Sequence, residues 1–301
     1  MLSNWCERLI NATAQQVQTT RPCCRTDVAQ GVRNAAAATD DPLRALGLWG
    51  YRVPGSLLKP PLFLSESGED WWLYVNHARF MNRRGIYIDL ATNNPVVISN
   101  TFFLDRCLGW KGLCIEPNPL HHSRIKQVRT CELVDKVMTT PGTHTVTMTS
   151  TAGKHEQLGG RTHVGMPTRK DRSRYPRHKL KKLEVTADTL GHTLAVHRIE
   201  RIDFLSLDVE GHEREVLEGI LWENVTIDAI VCEDADAGLA LIAQGYRKIV
   251  YADIPNHHQA FYLRDGFVPH IQRKGRTQVS GAGGETTLRY NYATQESRSS
   301  C

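Results

Sequence analysis

The sequence predicts an α/β domain on a mostly parallel seven-stranded sheet, closed at one edge by an antiparallel hairpin. Three observations predict it. Short apolar runs alternate with helix-like segments from about residue 65 to 265, the pattern of a parallel sheet covered on both faces. Four of those runs end in an acid. The last two runs, YRKIVYA and QAFYLRD, have no helix between them, so they are expected to pair antiparallel rather than through a crossover.

The elements follow in order. SESGEDWWLYVNHARFM (65–81) reads as a helix with Trp72, Val75, Ala78 and Phe80 or Met81 near one face. GIYIDLATNNP gives a strand from Gly85 to Leu90 and a polar loop, after which Ser99 can cap a helix through Leu108. GLCIEPNP is a second strand ending at Glu116, and Pro119 opens the helix PLHHSRIKQV. CELVDKVMTT is a third strand, and THTVTMTS (143–150) alternates as an exposed strand does. Residues 151–183 keep no steady period and read as a long basic loop or insertion. Thr186 is expected to cap a helix over 187–196. IDFLSLDVEG is the fourth strand and EREVLEGI its helix. IDAIVCED is the fifth strand, GLALIAQG a helix closed by Gly245, and the two final runs complete the sheet. The boundaries are a partly irregular extension (1–60), the domain (61–270) and a polar tail (271–301). An alternating domain finished by such a hairpin has the outline of the class I methyltransferase fold, a Rossmann-like architecture.

The composition, 41% hydrophobic and 23% charged with a net charge of +5, is that of an ordinary soluble globular protein. No apolar run approaches the roughly 20 residues of a membrane helix, and MLSNWCERLINATAQQ has no basic region leading into an apolar core. The cytoplasm is the default expectation. A Golgi or secretory lumen would follow if an anchor had been removed upstream, and a glycan acceptor would then gain weight. The eight cysteines have no zinc spacing, and Cys114 and Cys232, inside apolar runs, are expected to be reduced buried thiols.

In an open parallel sheet, ligands bind beyond the strand C-termini. Those ends carry Asp89, then Glu116, then Asp208 with Glu210, then Glu233 with Asp234. An acid closing the second strand can accept both hydroxyls of a ribose. An acid near the first suits a cationic sulfonium, and Asp208 would stand beside the reacting centre. The bland alternative is that Asp208, Glu210 or Glu213 merely caps the next helix. A nicotinamide site is excluded, because ATNNP lacks the glycine turn that a pyrophosphate needs.

GIYIDLATNNPVVISNTFFLDRCLGWKGLCIEPNP (85–119) resembles one signature of the FkbM-type methyltransferases, and IDFLSLDVEGHEREVLEGI (202–220) resembles their second. SESGED (65–70) resembles the segment preceding that domain. The resemblance implies an S-adenosylmethionine-dependent O-methyltransferase. By position, Asp89, Ala91 and Asn93 line the methionine side of the cofactor. Glu116 holds the ribose, and Pro117 and Asn118 shape the adenine side. Asp208 and Glu210 stand at the transfer site, and Ser65, Glu69 and Asp70 close over the cofactor. The family's loop usually has Gly where this chain has Ala91, so Ala91 is expected to need a negative φ.

Methyl transfer to a hydroxyl needs alignment and a proton acceptor. Asp208 is the first candidate, and His212 is the second if it points into the sheet edge rather than to solvent. Asp208 with Glu233 and Asp234 offers hard oxygen ligands for Mg2+. Arg169 to Lys182 holds eight Lys or Arg and one acid. That tract reads as a solvated loop near the site, a lid for an anionic acceptor, or a surface for RNA. Two alternatives to a sugar, glycan or small-molecule O-methyltransferase therefore stand: an RNA-directed methyltransferase and a non-catalytic methyltransferase-like module.

Overall fold

β1 (Ile86–Leu90) and β9 (Phe204–Leu207) pair in the interior of the main sheet, and their apolar runs are buried on both faces. The computed structural model describes residues 64–65, 68–96, 98–151, 162–165, 180–251, 259–267 and 286–288. The N-terminal extension, Arg169–Lys179 and most of the tail lie outside these residues. α1 (Glu69–Asn76) leads through a 3-10 turn (Ala78–Phe80) to β1. Then come α2 (Phe102–Arg106), β2 (Lys111–Ile115), α3 (Pro119–Val128) and β3 (Glu132–Val134). β4 (Val137–Met138), β5 (Thr145–Thr151), β6 (Thr162–Val164) and β7 (Leu180–Asp188) follow, then α4 (Leu190–Val196) and β8 (Arg201–Ile202). After β9 come α5 (Glu213–Glu218), β10 (Thr226–Ile227), β11 (Ala229–Cys232), α6 (Ala235–Ala243), β12 (Tyr246–Tyr251), β13 (Ala260–Arg264) and β14 (Thr286–Leu288).

The main sheet has the order β14-β12-β13-β11-β9-β1-β2-β3. Its β1, β2, β3, β9 and β11 pairings are parallel, and β13 runs antiparallel between β11 and β12. The predicted seven-stranded sheet and its edge hairpin are present. An eighth strand, β14, comes from the segment expected to be tail and pairs parallel with β12.

Period-two alternation divides the core. Tyr87 and Phe204 face the layer of Trp72, Phe103 and Phe261. Ile88, Leu90, Leu205 and Leu207 face the layer of Leu190, Val216 and Leu241. Gly238 lets α6 lie against β13, because a Cβ there would strike the Tyr262 hydroxyl. α3 starts as its sequence predicts, with Pro119 in the first turn and the Asn118 side chain accepting from the Leu120 N–H at 3.2 Å. Among the described residues, no helix is long and apolar enough to cross a membrane.

Three expectations need correction. The third run is not one strand: it bends after Val134, and Val137–Met138 joins a second sheet of order β4-β7-β5-β6. Part of 151–183, expected to be loop, forms strand in that sheet, and β5 pairs with β7 over seven residues. The β-branched and alternating LKKLEVTAD carries the chain to Asp188, so the helix starts at Leu190 with Thr189, not Thr186, as its cap.

The Cys114 expectation is also overturned. Cys114 is bonded to Cys131, with Cα atoms 5.7 Å apart, while Cys232 is free and buried. The parallel register sets Cys114 beside Leu133, which brings Cys131 within reach; spacing along the chain carries no such information. The bridge closes a loop of 17 residues, so replacing both cysteines by Ala is expected to lower stability by about 3 kcal/mol. The melting temperature of the non-reduced protein should fall by about 6–12 °C, measured by calorimetry.

Candidate active site

The C-terminal ends of β1, β2 and β9 open onto one cavity of about 370 Å³, a volume in the range of small-molecule sites. Asp89, Glu116, Asp208, Glu210 and Glu233 all line it. The opposite ends of the strands give a control. There Asp203 and Asp228 are buried and held by arginines: Arg83 Nη1 donates to Asp203 at 2.9 Å and Arg264 Nη2 to Asp228 at 3.0 Å. No such Arg or Lys pair is made to Glu116, Asp208 or Glu233 among the described residues. Acids that served only the fold would be expected to be neutralised as the first two are.

At one end of the cavity the chain turns sharply after β1. Ala91 and Asn93 have φ of 55° and 51°. The loop is held from within: Thr92 N–H donates to Ile115 O at 3.2 Å, and Asn94 Oδ1 accepts from Val96 N–H at 3.0 Å. Ala91 therefore does not have the negative φ expected of it. The loop forces the left-handed region on a residue with a Cβ, at about 1–2 kcal/mol. Ala91→Gly is expected to stabilise the fold by about 0.5–1 kcal/mol after glycine's own entropy cost. This should appear as a melting temperature higher by about 1–4 °C, and a lower one would contradict the strain.

Glu116 is 3% exposed. Its Oε2 accepts from the Asn93 N–H at 2.7 Å and its Oε1 from the Asn118 N–H at 2.8 Å. Burial pushes its carboxyl up to about 7, against the pull of those two donors. Pro117 lines the cavity beside it, and Asn118 is occupied in capping α3. The side-chain Oδ1 of Asn93 is buried with no hydrogen-bond partner among the described residues, an acceptor open to a ligand's donor.

Asp89 lies deeper. Its Oδ2 accepts from Thr101 Oγ1 at 2.6 Å and from Arg129 Nη1 at 3.4 Å. Burial raises its pKa, and Arg129 and Thr101 oppose that. Ser65, Glu69 and Asp70 are buried but do not line the cavity. Asp70 is used up locally, accepting from the Ser65 hydroxyl and from Leu64 N–H at 2.8 Å. Ser65 bridges in parallel to Ile98, which is a wall residue. Glu69 adds its charge to the field at Asp208.

At the other end, Glu210 (φ 56°) and Gly211 (φ 92°) turn the chain after β9 and keep Asp208 at the cavity. Gln259 Nε2 donates to Asp208 Oδ2 at 2.7 Å, and Asn100 Nδ2 reaches Gln259 Oε1 at 3.3 Å. Burial, then Glu210, Glu233, Glu213 and Glu69, raise the Asp208 pKa well above the usual carboxylate range. No side chain caps α5: Glu213 Oε1 accepts instead from the Val209 N–H upstream of it at 3.1 Å, whereas Asp234 Oδ1 caps α6 by accepting from Ala237 N–H at 2.6 Å. His212 points into the cavity, with Nε2 at 3.0 Å from Thr139 Oγ1. Burial lowers its pKa below 6.5, so its ring is neutral near pH 7.

The expected magnesium triad does not fit. Glu233 lines the cavity, but Asp234 is the N-cap of α6 and is not in the wall. Among the described residues, no group of three His, Cys, Asp or Glu converges as metal ligands.

Several wall residues were not foreseen. Gln259 stands just before β13 and Asn100 lies in the stretch Ser99–Thr101 before α2; neither pattern announces a partner for Asp208. Val137, Met138, Met148 and Val164 cover the cavity from the second sheet, with Lys136 just before it, a sheet whose existence the sequence did not suggest.

Comparison with known proteins fits this geometry. The family described as Methyltransferase FkbM domain matches residues 89–240, half of the chain. That span begins at Asp89 near the end of β1 and includes β2, β9 and the acids that follow them. No curated protein matches. Among solved structures, a precorrin-6y C5,15-methyltransferase from Geobacter metallireducens GS-15 is 11% identical. The match covers 70% of this chain and 96% of that one at a TM-score of 0.34, a loose likeness that carries no inference here. The order of the sheet, the acids that end β1, β2 and β9, and the family match over those same residues agree: the chain belongs to the FkbM methyltransferase domain family.

Proposed function

We propose that the protein is an S-adenosylmethionine-dependent O-methyltransferase acting on a hydroxyl of a sugar, glycan or other small acceptor. One observation carries the reading: a single cavity joins the Glu116 carboxylate at one end to the Asp208–Glu210–His212 turn at the other. The donor end fits the cosubstrate. Glu116, already oriented by two backbone N–H groups, is placed to accept from ribose hydroxyls. Asn93 Oδ1 lacks a partner among the described residues, which the donor's polar groups would provide. Asp89 would face the cationic methionine end.

S-adenosylmethionine supplies an electrophilic methyl on a sulfonium. The chain's own residues have the rest to do. The acceptor must lie in line with the methyl, and its hydroxyl proton must leave. Asp208 suits the second task, because a carboxylate lifted above its usual pKa is a stronger base once ionised. Gln259 holds it in place. His212, neutral and in the same wall, is the second proton acceptor. No step requires magnesium.

The acidic rim around Asp208 and Glu233 would repel a polyphosphate, which weighs against RNA. That alternative draws on Arg169–Lys182, most of which lies outside the described residues. The turn at Ala91 closes without glycine, which weighs against a module that has lost its donor. The Cys114–Cys131 bridge is of a kind that persists in oxidising compartments, so it favours the lumenal setting and with it a glycan.

The test has two parts. Calorimetry with S-adenosylmethionine should give saturable binding, and its absence would end the proposal. Mass spectrometry of a glycan and small-molecule panel, incubated with labelled donor, should then show one labelled methyl on an acceptor oxygen.

A further inference from the structure

Arg129 has a fully buried side chain and is not part of the cavity wall. Neutralising Asp105 does not explain why it is arginine. Its Nε donates to Asp105 Oδ2 at 2.7 Å, a bond that a lysine could approximate. The rest of the guanidinium turns the other way. Nη2 donates to Thr101 Oγ1 at 2.6 Å and to the Tyr87 hydroxyl at 3.2 Å. Nη1 reaches Ser99 Oγ at 3.3 Å, Pro95 O at 3.4 Å and Asp89 Oδ2 at 3.4 Å. A planar fork can serve acceptors on several elements at once; an ammonium cannot hold that pattern.

The bond to Thr101 has a direction. Thr101 Oγ1 accepts from Arg129 and donates its own proton to Asp89 Oδ2 at 2.6 Å. With a lone pair occupied by Nη2, the hydroxyl proton is committed to Asp89. Asp89 Oδ2 is thereby fixed, and Oδ1 takes no hydrogen bond from the described residues. Pro95 follows Asn93 and Asn94, and Ser99 and Thr101 flank Asn100, so the residues that Arg129 holds belong to the loop that supplies Asn93, Asn94, Ile98, Ser99 and Asn100 to the wall.

We infer that Arg129 is a positioning residue for the methyl donor. Through Thr101 it orients the Asp89 carboxylate, and through Pro95 and Ser99 it fixes the wall against which the donor's amino-acid end lies. This rests on the cavity being the donor site. Arg129 itself touches no substrate.

The experiment is a double-mutant cycle on donor affinity, read by calorimetry with S-adenosylmethionine on the full chain. Arg129→Lys is expected to weaken binding by about tenfold. It should raise the donor KM by a similar factor while kcat at saturating donor changes by less than about threefold. In an Asp89→Asn background the same Arg129→Lys change is expected to have little further effect. A merely structural arginine would lower the melting temperature yet leave donor affinity within about twofold, or would add its affinity loss independently of Asp89; either outcome overturns the inference.

Thr101→Val leaves the Arg129–Asp105 pair intact and breaks the relay. Should Arg129→Lys fail to fold, Thr101→Val is expected to carry the same loss of affinity, and unchanged binding in it overturns the inference equally. Wild-type protein that binds no donor would sink the reading of the cavity and the relay together. Donor binding that neither variant alters would sink the relay alone.

Discussion

Asp208→Asn is expected to lower turnover by about 10²–10⁴-fold, the usual contribution of a positioned base. Affinity for S-adenosylmethionine should stay within about threefold. Asn is nearly isosteric, and its amide oxygen can still accept from Gln259 Nε2, which donates to Asp208 Oδ2 at 2.7 Å. What goes is the charge and the ability to take a proton. The same variant should gain stability, because Asp208 is raised first by burial and then by Glu210, Glu233, Glu213 and Glu69. The sign follows from linkage. A folded pKa above the unfolded value of about 3.9 means that the native state binds more protons, so wild type loses stability as pH rises through that window. The asparagine variant lacks this loss, so its melting temperature should exceed wild type by more at pH 8 than at pH 4. Saturating-donor kinetics with the acceptor found by the panel, calorimetry and thermal melts at the two pH values check the three parts. A variant that loses donor binding in step with turnover would move Asp208 from the acceptor end to the donor end.

How much of this was legible in the sequence depended on which physical signal carried it. The central strands were legible because burial on both faces writes unbroken apolar runs such as FLSL and AIVC. The rim was legible because an acid directly after such a run, as in IYID or LCIE, breaks the pattern that burial imposes. The second sheet was not. LKKLEVTAD alternates between solvent and a thin core, and its lysines made it look like a continuation of the basic tract. Ala91 was misjudged for a different reason. A residue type records preference, whereas its φ of 55° is imposed by the Thr92 and Asn94 hydrogen bonds around it. The contacts of Arg129, at the end of α3, and the Cys114–Cys131 bridge join segments distant along the chain, and no local pattern encodes which partner a buried cation or thiol will find.

Glu116→Ala is expected to weaken donor affinity by about 10²-fold or more, since charge-assisted hydrogen bonds are worth about 1.5–3 kcal/mol each and two ribose hydroxyls are at stake. The loss also frees the Asn93 and Asn118 N–H groups, which lie 2.7 and 2.8 Å from the carboxylate oxygens, so the loop that presents Asn93 loosens as well. Glu116→Gln separates the two effects, because its amide oxygen retains one of those bonds without the charge. pH gives the sharper test. Burial holds the carboxyl at about 7, above its ordinary 4.5, so below that pH the group is neutral and must shed its proton to accept from both hydroxyls. Wild-type affinity should therefore fall by about tenfold for each pH unit below 7 and level off above it. Glu116→Gln should lack that slope between about pH 5 and 7, whatever titration of the donor itself remains common to both proteins. Affinity in wild type that is indifferent to pH across this range, together with an alanine variant within about threefold, would mean that the carboxylate belongs to the loop and not to the donor.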